Sequence, residues 1–134
     1  MANKTAERRL GRWLTISGAG YALTGADFLL RPRAPLDSLS RVAGEELDEE
    51  DTGVYHSLTV AYMATIAALA LGASRDPGGR RELVPALLVA KATSSGALLY
   101  RFYKTRRKAF AVGAALDAVL LGVTGGLYAA LDDR

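Results

Sequence analysis

Residues 52–74 read TGVYHSLTVAYMATIAALALGAS and carry no formal charge when His56 is neutral. Crossing the hydrocarbon of a bilayer, about 30 Å thick, takes about 20 helical residues, and this stretch has that length. Three further blocks share its character but hold ionisable residues: Trp13 to Leu30 with Asp27, Leu83 to Tyr103 with Lys91 inside it and Arg101 near its end, and Ala109 to Leu131 with Asp117. The charge is collected between the blocks, in the N-terminal segment, three connections and the C-terminus. A soluble helical bundle spreads charge along the outer face of every helix. These blocks are apolar all round, and 134 residues are too few to bury four of them inside protein. The sequence therefore predicts an all-α protein, an antiparallel bundle of four transmembrane helices at approximately residues 12–30, 53–74, 83–103 and 109–131. An acidic loop is expected at 31–52 and a basic hinge at 101–108, all within a single membrane domain.

Punctuation supports these limits. Arg31-Pro32-Arg33-Ala34-Pro35 stops the first helix, since proline cannot continue it and restricts its predecessor. Arg75-Asp76-Pro77-Gly78-Gly79 is a turn. The first block follows Lys4, Arg8, Arg9 and Arg12 but has no small-residue cleavage pattern after it, so it reads as a retained helix rather than a signal peptide. Aromatics fall where interfaces are expected: Trp13 and Tyr128 at one side, Phe28, Tyr55, Tyr100, Tyr103 and Phe110 at the other.

Half of the chain is hydrophobic, yet the mean hydropathy is only +0.11, because the connections are so strongly charged. The absence of cysteine excludes disulfides, thiolate metal sites, iron–sulfur clusters and cysteine nucleophiles, and a single histidine excludes a His-rich metal site. No cofactor or metal is expected. The alanine, glycine and arginine content resembles high-GC bacterial coding, a hint about source, and with the four apolar blocks the expected location is a bacterial inner (plasma) membrane, as a multi-pass protein. Basic residues divide equally between the two sides, so the positive-inside rule gives no orientation; cytoplasmic termini are the working expectation. Two explanations of the balance stand open. The acidic run Glu45 to Asp51 can pair with the hinge Arg101 to Lys108 as a charge-matched cap, or the chain inserts both ways and forms an antiparallel dimer.

Each block carries small and polar residues in rows. Ala114, Ala118, Gly122, Gly126 and Ala130 recur at four-residue spacing, a ridge over which another helix can pack closely. Gly18, Ala22 and Ala26 form a shorter ridge, as do Ala86, Ala90 and Ser94. Polar lines run through Ser17, Tyr21, Thr24 and Asp27, through Tyr55, Thr59 and Tyr62 with His56 adjacent, through Lys91, Ser94 and Ser95, and through Asp117, Thr124 and Tyr128. Counting from the hinge, Asp117 falls opposite Ser95 and about one helical turn from Lys91, within reach of a lysine side chain. Lys91 and Asp117 are thus either a pair that sets helix register or a site for a ligand, a proton or a quinone headgroup. Asp27 and His56 are a second candidate pair near one membrane face.

No nucleophile elbow, P-loop, dinucleotide fingerprint or zinc motif is present, and Ser94-Ser95 beside Lys91 is a weak match to a Ser–Lys dyad. The hinge lacks the aromatic interleaving of a nucleic-acid surface.

Tyr21-Ala22-Leu23-Thr24-Gly25, then Phe28-Leu29-Leu30-Arg31-Pro32 closing the first helix, and Tyr55-His56-Ser57-Leu58 opening an alanine-rich second, resemble the DoxX-like group of small four-helix membrane proteins. The resemblance extends over the chain in architecture. It implies a small polytopic membrane protein, some members of the group being subunits of quinone-linked oxidoreductases, and it assigns no functional residue here. Taken together, the leading expectation is a non-enzymatic accessory or structural subunit of an inner-membrane assembly, with the bilayer and a homo-oligomer or larger membrane complex as partners. A dimeric small-solute or proton-coupled transporter using Asp27, Lys91 or Asp117 is the first alternative. A membrane-enzyme subunit binding quinone or lipid near His56, Tyr62 and Lys91 is the second.

Overall fold

The computed structural model describes residues 4–31, 33–46 and 52–131, with backbone alone at 35, 36 and 52–58. They form five helices: α1 Lys4–Leu30, α2 Arg33–Ala43, α3 Thr52–Ser74, α4 Leu83–Thr105 and α5 Lys108–Ala129. The four long helices are those expected from the apolar blocks. They run alternately up and down, with α1 packed on α3, α3 on α4, α4 on α5 and α5 back on α1, the most extensive contacts being α1 with α3 and α4 with α5.

Two boundaries differ from expectation. α1 begins two turns before residue 12, because Ala6 and Leu10 lie on the same face as Leu14, Ser17 and Tyr21 and are buried with them. The segment 31–52, expected as a loop, contains the helix α2. Its proline, Pro35, lies in the first turn, where the N–H it lacks would have had no helical partner. A proline read as a stop thus helps to start another helix. α2 is amphipathic and lies against α5 and α1 at one end of the bundle. It ends at Gly44, whose φ of +68° is left-handed backbone that glycine adopts without strain, and the Glu45 N–H bonds back to the Ser40 carbonyl at 3.1 Å. The basic hinge narrows to Arg106 and Arg107, with Arg106 itself at φ 59° and its N–H on the Phe102 carbonyl at 2.7 Å.

The start of α5 has no side-chain cap of its own. Glu45, arriving from the end of α2, accepts the Ala109 N–H at 3.3 Å, and Arg107 donates to the Glu46 carbonyl. The acidic segment therefore does meet the basic hinge, through Glu45 and Glu46; residues 47–51 lie outside the described residues. The backbone N–H of Lys108, then that of Ala109 and the charges of Arg107 and Lys108, hold the Glu45 carboxyl below the ordinary glutamate range, against an opposing effect of desolvation that is second only to the Lys108 bond. A carboxylate stabilised this way supports the fold above its ordinary titration range and loses that contribution as pH falls through the lowered value. Acidification below the ordinary glutamate value is thus expected to lower the protection of the Ala109 amide, its exchange rate being taken relative to that of an unfolded amide at the same pH, and Glu45→Gln to remove that pH dependence.

The interior holds polar groups beside an apolar core, and large apolar side chains lie on the exterior. Ser17, Lys91, Ser95 and Thr124 are buried, together with an apolar cluster of Leu10, Leu14, Ile66, Ala70, Val84 and Leu87. Ile16, Leu23, Val89, Leu99, Leu116 and Val119 point outward, each more than half exposed. Among the described residues α4 and α5 are long and apolar enough to cross a membrane, and Thr59–Ser74 within α3 is a shorter apolar stretch. Two of the four expected spans thus stand on length and composition. α1 is long but opens with Lys4, Glu7, Arg8, Arg9 and Arg12.

Close approach of α1 to α3 rests on three glycines seven residues apart, Gly11, Gly18 and Gly25. A Cβ at Gly18 would sit 2.9 Å from Leu71 Cγ and 3.1 Å from Ala70 Cβ; one at Gly25 would sit 3.0 Å from Met63 Cβ. A seven-residue repeat keeps such positions on one helix seam.

Candidate functional site: a buried polar centre

α4 presents Lys91, Ser94 and Ser95 at i, i+3 and i+4, and α5 presents Ala114 and Asp117 at i and i+3, so each set shares one helix face. Because the helices are antiparallel and joined by two residues, the faces meet. Lys91 Nζ donates to Asp117 Oδ1 at 2.8 Å, Ser94 Oγ donates to Asp117 Oδ2, and Ser95 Oγ donates to the Ala114 carbonyl at 3.0 Å. The lysine spans the one-turn offset inferred from the sequence. Its side chain is 4% exposed and that of Asp117 14%.

The other two long helices contribute aromatic walls. The Lys91 ammonium lies 4.5 Å from the ring centroid of Tyr21 on α1 and 5.7 Å from that of Tyr62 on α3. The faces of these rings attract a cation, by about 2 kcal/mol where water is excluded. Tyr62 donates its hydroxyl to the Ala90 carbonyl at 3.2 Å. All four long helices therefore converge on one ammonium group. Both carboxylate oxygens of Asp117 are engaged, whereas the buried Tyr21 hydroxyl has no hydrogen-bond partner among the described residues. Chemically, the arrangement is a satisfied ion pair walled by aromatic rings, with one spare phenol.

Lys91, Asp117, Tyr62, Ser94 and Ser95 are thus brought together as a cluster. Asp27 is elsewhere: it pairs with Arg31, just past the end of α1, and the anticipated pairing with His56 lies outside the described side chains. His56 lies in α3, and its side chain is outside the described residues. The small-residue ridge of α5 does not face one neighbour. Ala114 is buried, Ala118, Gly122 and Gly126 are exposed, and Ala130 is half-buried. The reason is geometric: at about 100° per residue a four-residue step advances about 40°, so five such positions sweep far around the helix.

Two contributors escaped the sequence reading. Tyr21 stood on the polar line of α1 without any sign that its ring covers Lys91. Trp13, expected at an interface, donates its indole N–H to Thr124 Oγ1 at 2.8 Å and ties α1 to α5. Indole and hydroxyl in two apolar blocks are the only sequence signal for that bond. At the hinge end, Lys104 lies 5.7 Å from the Tyr100 ring and Arg106 5.3 Å from that of Tyr103, cations folded back on exposed aromatics.

Comparison with known proteins gives no match: no family model, no curated protein and no solved structure is significantly similar to the chain.

Proposed function

We propose that α1, α3, α4 and α5 all span the inner membrane and that the protein serves as an accessory or structural subunit of a membrane assembly. The observation that carries this reading is the burial of Lys91 with Asp117 at the centre of a bundle whose outward side chains are apolar. Water solvates such a pair better than protein does, and lipid solvates such an exterior better than water does. The closed pair, with its remaining contacts supplied by tyrosine rings and Ser94, favours a clamp that fixes helix register. A carrier or a quinone site would need it to open. The exposed row Ala118, Gly122 and Gly126 offers close packing to another membrane helix, in a second copy or another subunit. The architectural likeness to DoxX-like proteins points the same way.

The native chain has no cysteine, so single cysteines report topology cleanly. Ser40→Cys and Thr105→Cys are expected to react from one side of sealed vesicles and Gly79→Cys from the other. Labelling of each from both sides would replace fixed insertion by dual topology. Extraction in mild detergent is expected to give a species larger than the monomer, and a lone monomer would overturn the subunit role. A monodisperse protein in detergent-free buffer would overturn the membrane reading itself.

A further inference from the structure

At the end of the bundle opposite the hinge, an open groove of about 690 Å³ runs between the start of α1 and the turn after α3. Lys4, Arg8 and Arg12 line it at successive four-residue steps, with Ile16 one step further and Gly11 and Pro77 at its floor. The three cations are exposed and make no ion pair or hydrogen bond with any described residue. Like charges spaced this way repel on a helix. Glu7 also lines the groove, but its carboxylate lies against Gly78 in the turn, leaving a net positive wall. Below the cations the outer face of α1 turns apolar, with Ile16 67% and Leu23 72% exposed on one stripe.

We propose that this groove binds an anionic phospholipid, its phosphate between Lys4, Arg8 and Arg12 and an acyl chain along Ile16 and Leu23. The proposal rests on the membrane reading above. A lipid accounts for three features together: cations unpaired among the described residues, an apolar stripe directly beneath them, and a groove open at the side, so that a tail can remain in the bilayer. A free phosphate accounts only for the first. A zwitterionic lipid would bring its ammonium against the same cations. Basic residues at an anionic membrane surface contribute about 1 kcal/mol each, or about fivefold in affinity.

The test is native mass spectrometry of the full chain released from mild detergent, titrated with phosphatidylglycerol or phosphatidylcholine. Preferential retention of phosphatidylglycerol is expected, reduced about fivefold by Arg8→Gln and about 25-fold by Arg8→Gln with Arg12→Gln. Both arginines are exposed, and a thermal melt verifies that the variants fold. The equally basic opposite end supplies the control: Arg101→Gln with Lys104→Gln is expected to leave retention unchanged. Equal retention of the two lipids, or an equal loss in the control, would overturn the site. So would inorganic phosphate displacing the lipid as effectively as added phosphatidylglycerol, because the apolar stripe would then contribute nothing. Failure of the membrane reading looks different: the protein would be monodisperse without detergent, whichever lipid is added.

Discussion

Asp117→Ala is expected to destabilise the protein by about 3–5 kcal/mol, the cost of leaving a buried charge without its partner. Lys91 would remain almost fully enclosed, with only the tyrosine faces to stabilise its charge. The reverse change, Lys91→Met, is expected to cost less. Asp117 is the more exposed of the two and keeps its bond from Ser94. Replacing both, Lys91→Met with Asp117→Leu, is expected to recover most of the loss, since an apolar pair of similar volume often equals a buried ion pair. Thermal unfolding of the native protein, Lys91→Met, Asp117→Leu and the double variant in the same mild detergent gives the coupling energy from a double-mutant cycle. Additive losses would show that the two side chains do not act as a pair. A double variant that is stable but no longer isolated with the partners of the native protein would separate the clamp from a role in recognition.

Gly18→Leu is expected to be about as damaging, by the opposite mechanism. Even a Cβ at this position would lie closer to Leu71 than real Cβ atoms come, and tight against Ala70, and leucine adds three further carbons behind it. α1 and α3 would have to separate. Overpacking of this kind costs about 1–3 kcal/mol and occasionally more, and separation would also draw Tyr21, one turn along, away from Lys91. Gly18→Ala is expected to be milder, because its smaller clash is offset by a gain in helix propensity of up to about 1 kcal/mol. Gly126→Leu is the control, since nothing lies within 4 Å of a Cβ there. It should leave the melt of the monomer unchanged and weaken self-association if a second copy covers that ridge. An unchanged melt for Gly18→Leu would mean that α1 and α3 are not packed as closely as described.

The contrast between these glycines marks the limit of reading the chain without its structure. Gly18 and Gly122 both stand in small-residue rows, and both rows look equally suited to packing. A four-residue row drifts around the helix, whereas the seven-residue row of Gly11, Gly18 and Gly25 holds one seam, and α3 lies along it. Period alone could have separated them, but which helix occupies the seam could not be read from α1. The same holds for α2: Arg31 to Pro35 reads as a stop because proline ends the preceding helix, and only the packing of α2 on α5 and α1 stabilises a new helix in the residues that follow.

The amino-acid sequence by itself determined the number and order of the long helices, their alternating direction and the meeting of Lys91 with Asp117. Those follow from local facts: apolar block length, turn residues between blocks, and counting outward from a hinge of two residues. Tertiary structure decided which faces turn inward, that Tyr21 and Tyr62 wall the ammonium, and that Glu45 caps α5. Each of those depends on the rotation of one helix against another. In blocks apolar all round, rotation is set by the few polar and glycine contacts that only the assembled bundle brings together.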